Sequence, residues 1–112
     1  MARILNYGSL NIDHVYSVPR IVRPGETISA VGFKDCPGGI GLNQSVAMAR
    51  AGAMVFHAGR VGNDGGFLTE ILVANAVDCT LRQNSEGPTG SASIQKDNAG
   101  QHATISYPGS NG

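Results

Sequence analysis

The stretch PGGIGLNQSVAMARAGA, residues 37–53, decides how the rest of the chain is read. Its glycine cluster interrupts any regular element, and a helical periodicity follows. Leu42, Val46, Ala49 and Ala53 fall on one face. The pattern predicts a helix that starts near Gly41 and stops at Gly52, a glycine placed where a C-terminal cap belongs. Glycines before a helix let the backbone approach a ligand closely. The helix start adds free N–H groups and a partial positive charge, which suit a polar oxygen or a phosphate. A glycine cluster by itself is equally a tight strand-to-helix turn with no ligand. It is not a Walker A loop, because no Gly-Lys-Ser/Thr follows. It is not a dinucleotide fingerprint in its usual place either, since it follows a strand-rich segment rather than the first strand.

Working outward, RILNYGS (residues 3–9) reads as a first buried strand. Residues 14–18 and Thr27–Lys34 read as strands on either side of the Pro24-Gly25 turn signal. Met54–Arg60 reads as a second buried strand. Asp64–Ala76 reads as a second helix, with Phe67, Ile71 and Leu72 inward and Asp64 near its start. That alternation predicts an α/β fold with a parallel sheet and right-handed crossovers. After Val77 the pattern changes to short alternating strands at Cys79–Gln83, Ser91–Gln95 and His102–Tyr107. KDNAG (residues 96–100) predicts a hairpin between the last two. Two or three long parallel strands leave an open edge and bare faces, whereas a doubly wound domain usually has about four to six. The chain is therefore expected to be the front part of a longer protein.

Composition narrows the function. The 112 residues carry 8 Lys and Arg against 8 Asp and Glu, so the formal net charge is zero. That argues against a nucleic-acid-binding domain and against a polybasic membrane-surface module. With 41% apolar and 14% charged residues, the composition is not that of a disordered chain. Cys36 and Cys79 are too few for a disulfide scaffold and too isolated for a zinc site, so both read as reduced, partly buried thiols. The N-terminus is not a secretory signal, and no apolar run nears the roughly 20 residues of a membrane span. The chain reads as soluble and cytoplasmic.

A second polar signal is GSLNIDH, residues 8–14, just after the first strand, where α/β sheets bind ligands. Asn11 and Asp13 are two residues apart, so on an extended chain they point the same way. Together they can grip adjacent hydroxyls, Asp13 accepting and Asn11 donating and accepting. The same pair can instead serve backbone turn hydrogen bonds. His14, His57 and His102 have no metal-ligand spacing and read as surface or satisfied core histidines. The arginines show no cluster, and Phe33, Phe56 and Phe67 read as core or lid packing.

These segments, in this order, resemble the N-terminal part of the ribokinase-like (PfkB) carbohydrate kinases. GSLNID is similar to that family's first-strand motif, RPGETISA (residues 23–30) to its turn into the lid, and GGIGLNQSVAMARAGA to its first signature. GRVGNDGGFLTEIL (residues 59–72), VDCT, PTGSASI and YPGSN continue the likeness over essentially all 112 residues. The resemblance implies a ribokinase-like, Rossmann-type parallel sheet with helices and a small β lid, the C-terminal part of the fold missing. The lid strands would span approximately 14–34 and 91–107.

By the same resemblance, Asn11, Asp13, Gly39 and Asn43 would hold a sugar. The activity implied is ATP-dependent phosphoryl transfer to a sugar hydroxyl, with ATP, Mg²⁺ and a monovalent cation served by residues outside this chain. A homodimer through the lid strands is implied as well. The chain departs from the ribokinase pattern at Ile40, where ribokinases proper usually have Lys. That opens the alternatives of a nucleoside, fructose or keto-sugar acid. The family's catalytic Asp lies in a Gly-Ala-Gly-Asp motif that does not occur here, so no catalytic residue is assigned, and Asp64 is no substitute. The non-enzymatic alternative is a truncated chain that dimerises through its lid and at most binds a sugar.

Overall fold

The computed structural model describes residues 3–111. Two layers make up the chain. In the first, strands β1 (Arg3–Tyr7) and β4 (Met54–Ala58) run parallel, in register from Arg3↔Met54 to Tyr7↔Ala58. The chain between them passes through β2 (Asn11–Ser17), β3 (Gly32–Gly38) and helix α1 (Ile40–Arg50). Short strands β5 (Arg60–Val61) and β6 (Gln83–Asn84) pair in parallel on either side of helix α2 (Gly66–Ala74). Asp78 extends the parallel pairing beside β4: its N–H donates to the Val55 carbonyl at 2.9 Å, and its carbonyl accepts the His57 N–H at 2.8 Å.

The second layer is a four-stranded sheet in the order β3-β2-β7-β8, with β7 at Gly90–Lys96 and β8 at His102–Tyr107. β3 and β8 run antiparallel to their neighbours, while β2 and β7 are parallel. This sheet is the lid. After β8 the chain closes into a 3₁₀ turn, Gly109–Asn111.

The core lies under the first layer. Leu10, Ile12, Leu42, Val55, Val61, Leu68, Leu72 and Val77 form one buried cluster, with Val46, Ala49, Ala53 and Phe67 packed against it. The helical face read from residues 42–53 is thus the buried one, and Gly52 takes φ 99° just after the helix. In α2 the inward set is Leu68 and Leu72, and Phe67 and Ile71 are only partly buried.

Three expectations shift. The strand placed at Thr27–Lys34 is observed at Gly32–Gly38, and residues 27–30 have no strand pairing, because β3 is positioned by β2 rather than by its own β propensity. The strand placed at Cys79–Gln83 is a turn that reaches only Gln83–Asn84. The strand placed at residues 14–18 runs over Asn11–Ser17, so Asn11 and Asp13 sit on it. The KDNAG hairpin joins β7 and β8 as expected. No helix among the described residues is long and apolar enough to cross a membrane.

One buried polar network ties α1 to the first layer. His57 is 1% exposed. Its Nε2–H donates to the Gly8 carbonyl at 3.1 Å, which leaves Nδ1 to accept from the Ser45 hydroxyl at 2.6 Å. Asn6 Nδ2 donates to Ser45 Oγ and to the Gly41 carbonyl, both at 2.9 Å. Burial lowers the His57 pKa and outweighs the Gly8 carbonyl, which favours protonation. The ring is therefore a satisfied, neutral core histidine.

Candidate functional site

The two layers meet where β1 turns into β2 and β3 turns into α1. Gly39 makes the second turn with φ 96°. A Cβ there would stand 2.7 Å from the Ser9 carbonyl oxygen and 3.1 Å from the Asn11 nitrogen. A Cβ on Gly41 would stand 2.4 Å from the Gly8 carbonyl carbon. Both glycines are therefore needed for the two turns to touch. The contact is sealed by the Leu42 N–H, which donates to the Ser9 carbonyl at 3.1 Å.

Strand register then decides what surrounds Asn11 and Asp13. Asn11 is flanked by Gly38 on β3 and Gly90 on β7. Asp13 is flanked by Cys36 and Ala92. All four neighbours are small, so the two polar side chains stand on one face with open space around them. They lean in opposite directions. The Asp13 carboxylate lies over Gly38, where a Cβ would meet Oδ2 at 2.5 Å. The Asn11 carboxamide lies over Gly90, where a Cβ would meet Oδ1 at 2.7 Å. Burial raises the Asp13 pKa, and the neighbouring His14 lowers it by less. The nearer His14 contact is on the other lid face, where its Nδ1 lies 2.5 Å from Asp35 Oδ1.

The structure therefore brings Asn11, Asp13 and Gly39 together. Asn43 sits one turn into α1, where its N–H donates to the Gly39 carbonyl at 3.1 Å. Its side chain borders a hollow of about 310 Å³ shared with Pro37, Val46, Arg50 and Asn75. Ile40, the first residue of α1, is 73% exposed.

Sequence reasoning missed Asn111. Its carboxamide bonds both Leu10 and Asn11, and with Tyr7, Ser9, Gly59, Arg60 and Ser110 it borders a cavity of about 270 Å³ beyond the carboxyl ends of β1 and β4. The signal was present in YPGSN, but only the fold reveals that this asparagine returns to the first polar pair. Asp64 is structural: its Oδ1 accepts the Thr89 N–H at 2.8 Å. Burial pushes its pKa up, yet the hydrogen bonds from Thr89 together hold it below the usual carboxylate value. Both cysteines are free thiols, and burial raises the Cys79 pKa. No group of three or more His, Cys, Asp or Glu among the described residues could hold a metal ion.

A parallel α/β layer, a small four-stranded sheet and a glycine-rich helix start between them define the ribokinase fold. The chain belongs to the pfkB family carbohydrate kinases, whose pattern it matches over residues 1–112. A ribokinase of Haemophilus influenzae is 36% identical over 107 residues, which cover 93% of this chain and 35% of that protein. The ribokinase of Cryptococcus neoformans var. grubii serotype A, solved in complex with ADP, superposes with a TM-score of 0.91 at 39% identity, covering 99% of this chain and 36% of that one. The Arabidopsis thaliana ribokinase, solved with ribose and ATP, gives 0.88 at 30% identity, covering 98% and 36%. The chain thus spans about a third of the length of these relatives.

Proposed function

We propose that this chain supplies the sugar-binding and lid portion of an ATP-dependent sugar kinase of the ribokinase type. The observation that carries the reading is the pair Asn11 and Asp13 on one lid face, each laid over a glycine of a neighbouring strand. The Asp13 carboxylate accepts a hydrogen bond from one sugar hydroxyl, and the Asn11 carboxamide engages another. Gly39 lets the backbone come close to the ligand, while Asn43, which borders the separate hollow beside Arg50 and Asn75, enters the proposal on the family resemblance alone. The lid face above keeps water out.

Phosphoryl transfer also needs a base for the hydroxyl proton and donors for the γ-phosphate. ATP supplies the phosphoryl group when bound, and no described residue is assigned to its site. Mg²⁺ and a monovalent cation would be held by residues outside this chain. The exposed Ile40 beside Gly39 favours a second reading in which the ligand carries a less polar group, as a nucleoside does. A cytosolic setting is part of the proposal.

Calorimetric titration tests the sugar site. D-Ribose is expected to bind the wild-type chain, and Asp13→Ala is expected to weaken binding by tenfold or more, the effect of losing hydrogen bonds to a charged group. Unchanged binding in that variant overturns the assignment. Tighter binding of adenosine than of ribose selects the second reading.

The lid's other face supports the homodimer. Phe33, Ile105 and Tyr107 are 58%, 76% and 58% exposed there, and Phe33 packs on Tyr16 with ring centroids 5.0 Å apart. A second copy of the lid would cover these side chains. Sedimentation velocity is expected to give a wild-type dimer and an Ile105→Asp monomer. A monomeric wild type removes the dimer from the proposal.

A further inference from the structure

Asn111 is 100 positions from Asn11, yet its carboxamide is committed there by three hydrogen bonds. Its Oδ1 accepts the Leu10 N–H at 3.2 Å. Its Nδ2 donates to the Leu10 carbonyl at 3.1 Å and to Asn11 Oδ1 at 2.7 Å. The turn that carries Asn111 is anchored from behind. The Ser110 N–H and hydroxyl both donate to the Pro88 carbonyl, at 3.2 and 3.0 Å, and Ser110 Oγ lies 2.7 Å from Ser85 Oγ. Gly90 clears the space in which the two amides meet, since a Cβ there would stand 2.2 Å from Asn111 Nδ2.

These bonds fix polarity as well as position. A carboxamide has one acceptor end and one donor end, and only its partners say which is which. The Leu10 backbone settles Asn111, because reversing that amide would set oxygen against carbonyl and N–H against N–H. Asn111 then settles Asn11: its Nδ2 needs an acceptor, so the Asn11 oxygen must face it. The Asn11 amino end has no hydrogen-bond partner among the described residues.

We propose that Asn111 is a positioning residue that makes Asn11 a hydrogen-bond donor toward the ligand, so that Asn11 and Asp13 read two hydroxyls with opposite polarity. This rests on the sugar-site reading above. One ligand oxygen accepts from Asn11, and a second must be a hydroxyl that donates to Asp13. A carbonyl in place of the first oxygen is tolerated. A carbonyl in place of the second faces a carboxylate with no hydrogen between them and is rejected. The site is thereby selective for a polyol carrying a hydroxyl at the Asp13 position.

Asn111→Asp tests this at nearly constant size. The new carboxylate puts an oxygen where the amino group stood, so Asn11 has to turn its own amino end inward and show its oxygen to the ligand. The chain is titrated with D-ribose and with ribose analogues each lacking one hydroxyl. Wild type is expected to lose affinity with each of two analogues, one for the Asn11 oxygen and one for the Asp13 hydroxyl. Asn111→Asp is expected to bind ribose about tenfold more weakly, the effect of one hydrogen bond. It should also lose discrimination at the first position and keep it at the second. Added to Asn11→Ala, it is expected to cost nothing further. An equal loss for every analogue, or losses that multiply in the double variant, overturns the proposal.

Amide exchange in the ligand-free wild type gives a second measurement that needs neither binding nor a folded variant. The Asn111 side-chain amide protons are expected to exchange more slowly than those of Asn11, and equal rates overturn the proposal. A wild type that binds no ribose but shows the slow Asn111 amide counts against the sugar reading and leaves the clamp standing.

Discussion

The two layers hold together by different means. The layer built on β1, β4, α1 and α2 encloses the continuous apolar cluster, with Leu10, Val55, Leu68 and Leu72 all at 1% exposure or less. The lid is one sheet thick. Much of its side-chain surface is open, and its order comes from 20 cross-strand partner pairs along β3-β2-β7-β8. Burial of apolar surface is non-directional and stabilises; backbone pairing is directional and fixes register. The first layer therefore carries stability and the second carries geometry. Asn11 and Asp13 lie at the end of β2 nearest the junction, where the firm layer restrains them.

Leu68→Ala probes the firm side of that contrast and is expected to give the largest effect. The side chain is fully buried in the cluster, so its loss should cost about 2–5 kcal/mol in urea unfolding. Ile105→Asp, on an exposed lid position, is expected to change the stability of the single chain by well under that, while acting on association. If the lid variant destabilised the monomer as strongly as Leu68→Ala, the division of labour would be wrong.

The same division explains what could be read from the sequence. The first layer was legible because burial leaves a periodic trace: Leu42, Val46, Ala49 and Ala53 mark the inner face of α1, and Gly52 marks its end. β8 was legible at both ends because it alternates and follows a tight turn. The segment before β3 was misread because Thr27–Ala30 has strand-forming residues but no strand beside it, whereas KDCPG, poor in such residues, is pulled into the sheet by β2. That Asn11 and Asp13 share one face was legible from their spacing. The glycines beneath them, Gly38 and Gly90, were not, because they become neighbours only through register. Asn111 was invisible for the same reason, 100 positions away.

Acid should separate the layers by sign. In the first layer, burial lowers the His57 pKa, so the folded chain resists protonation there. The stability this contributes is present above the ordinary histidine value, about 6.5, and is lost as pH falls below it. Thermal unfolding between pH 8 and pH 5 should show a falling melting temperature. The His57 ring, followed by NMR, should titrate below the ordinary value; a midpoint at or above it would contradict the buried neutral ring.

In the lid, burial raises the Asp13 pKa, so the sign reverses. Its contribution to stability is full below the ordinary carboxylate pKa and is lost as pH rises through the folded value. At neutral pH the ionised carboxylate is therefore a small cost to folding. Asp13→Asn should melt at the same temperature as wild type or slightly higher at pH 7, with the gap closing in acid. Ribose affinity should move the other way, since the amide cannot offer the two acceptor oxygens of a carboxylate. Wild-type affinity should itself decline as Asp13 takes up a proton. A residue retained for packing would show stability and binding falling together. Opposed changes in the two are what a polar group held for its ligand produces.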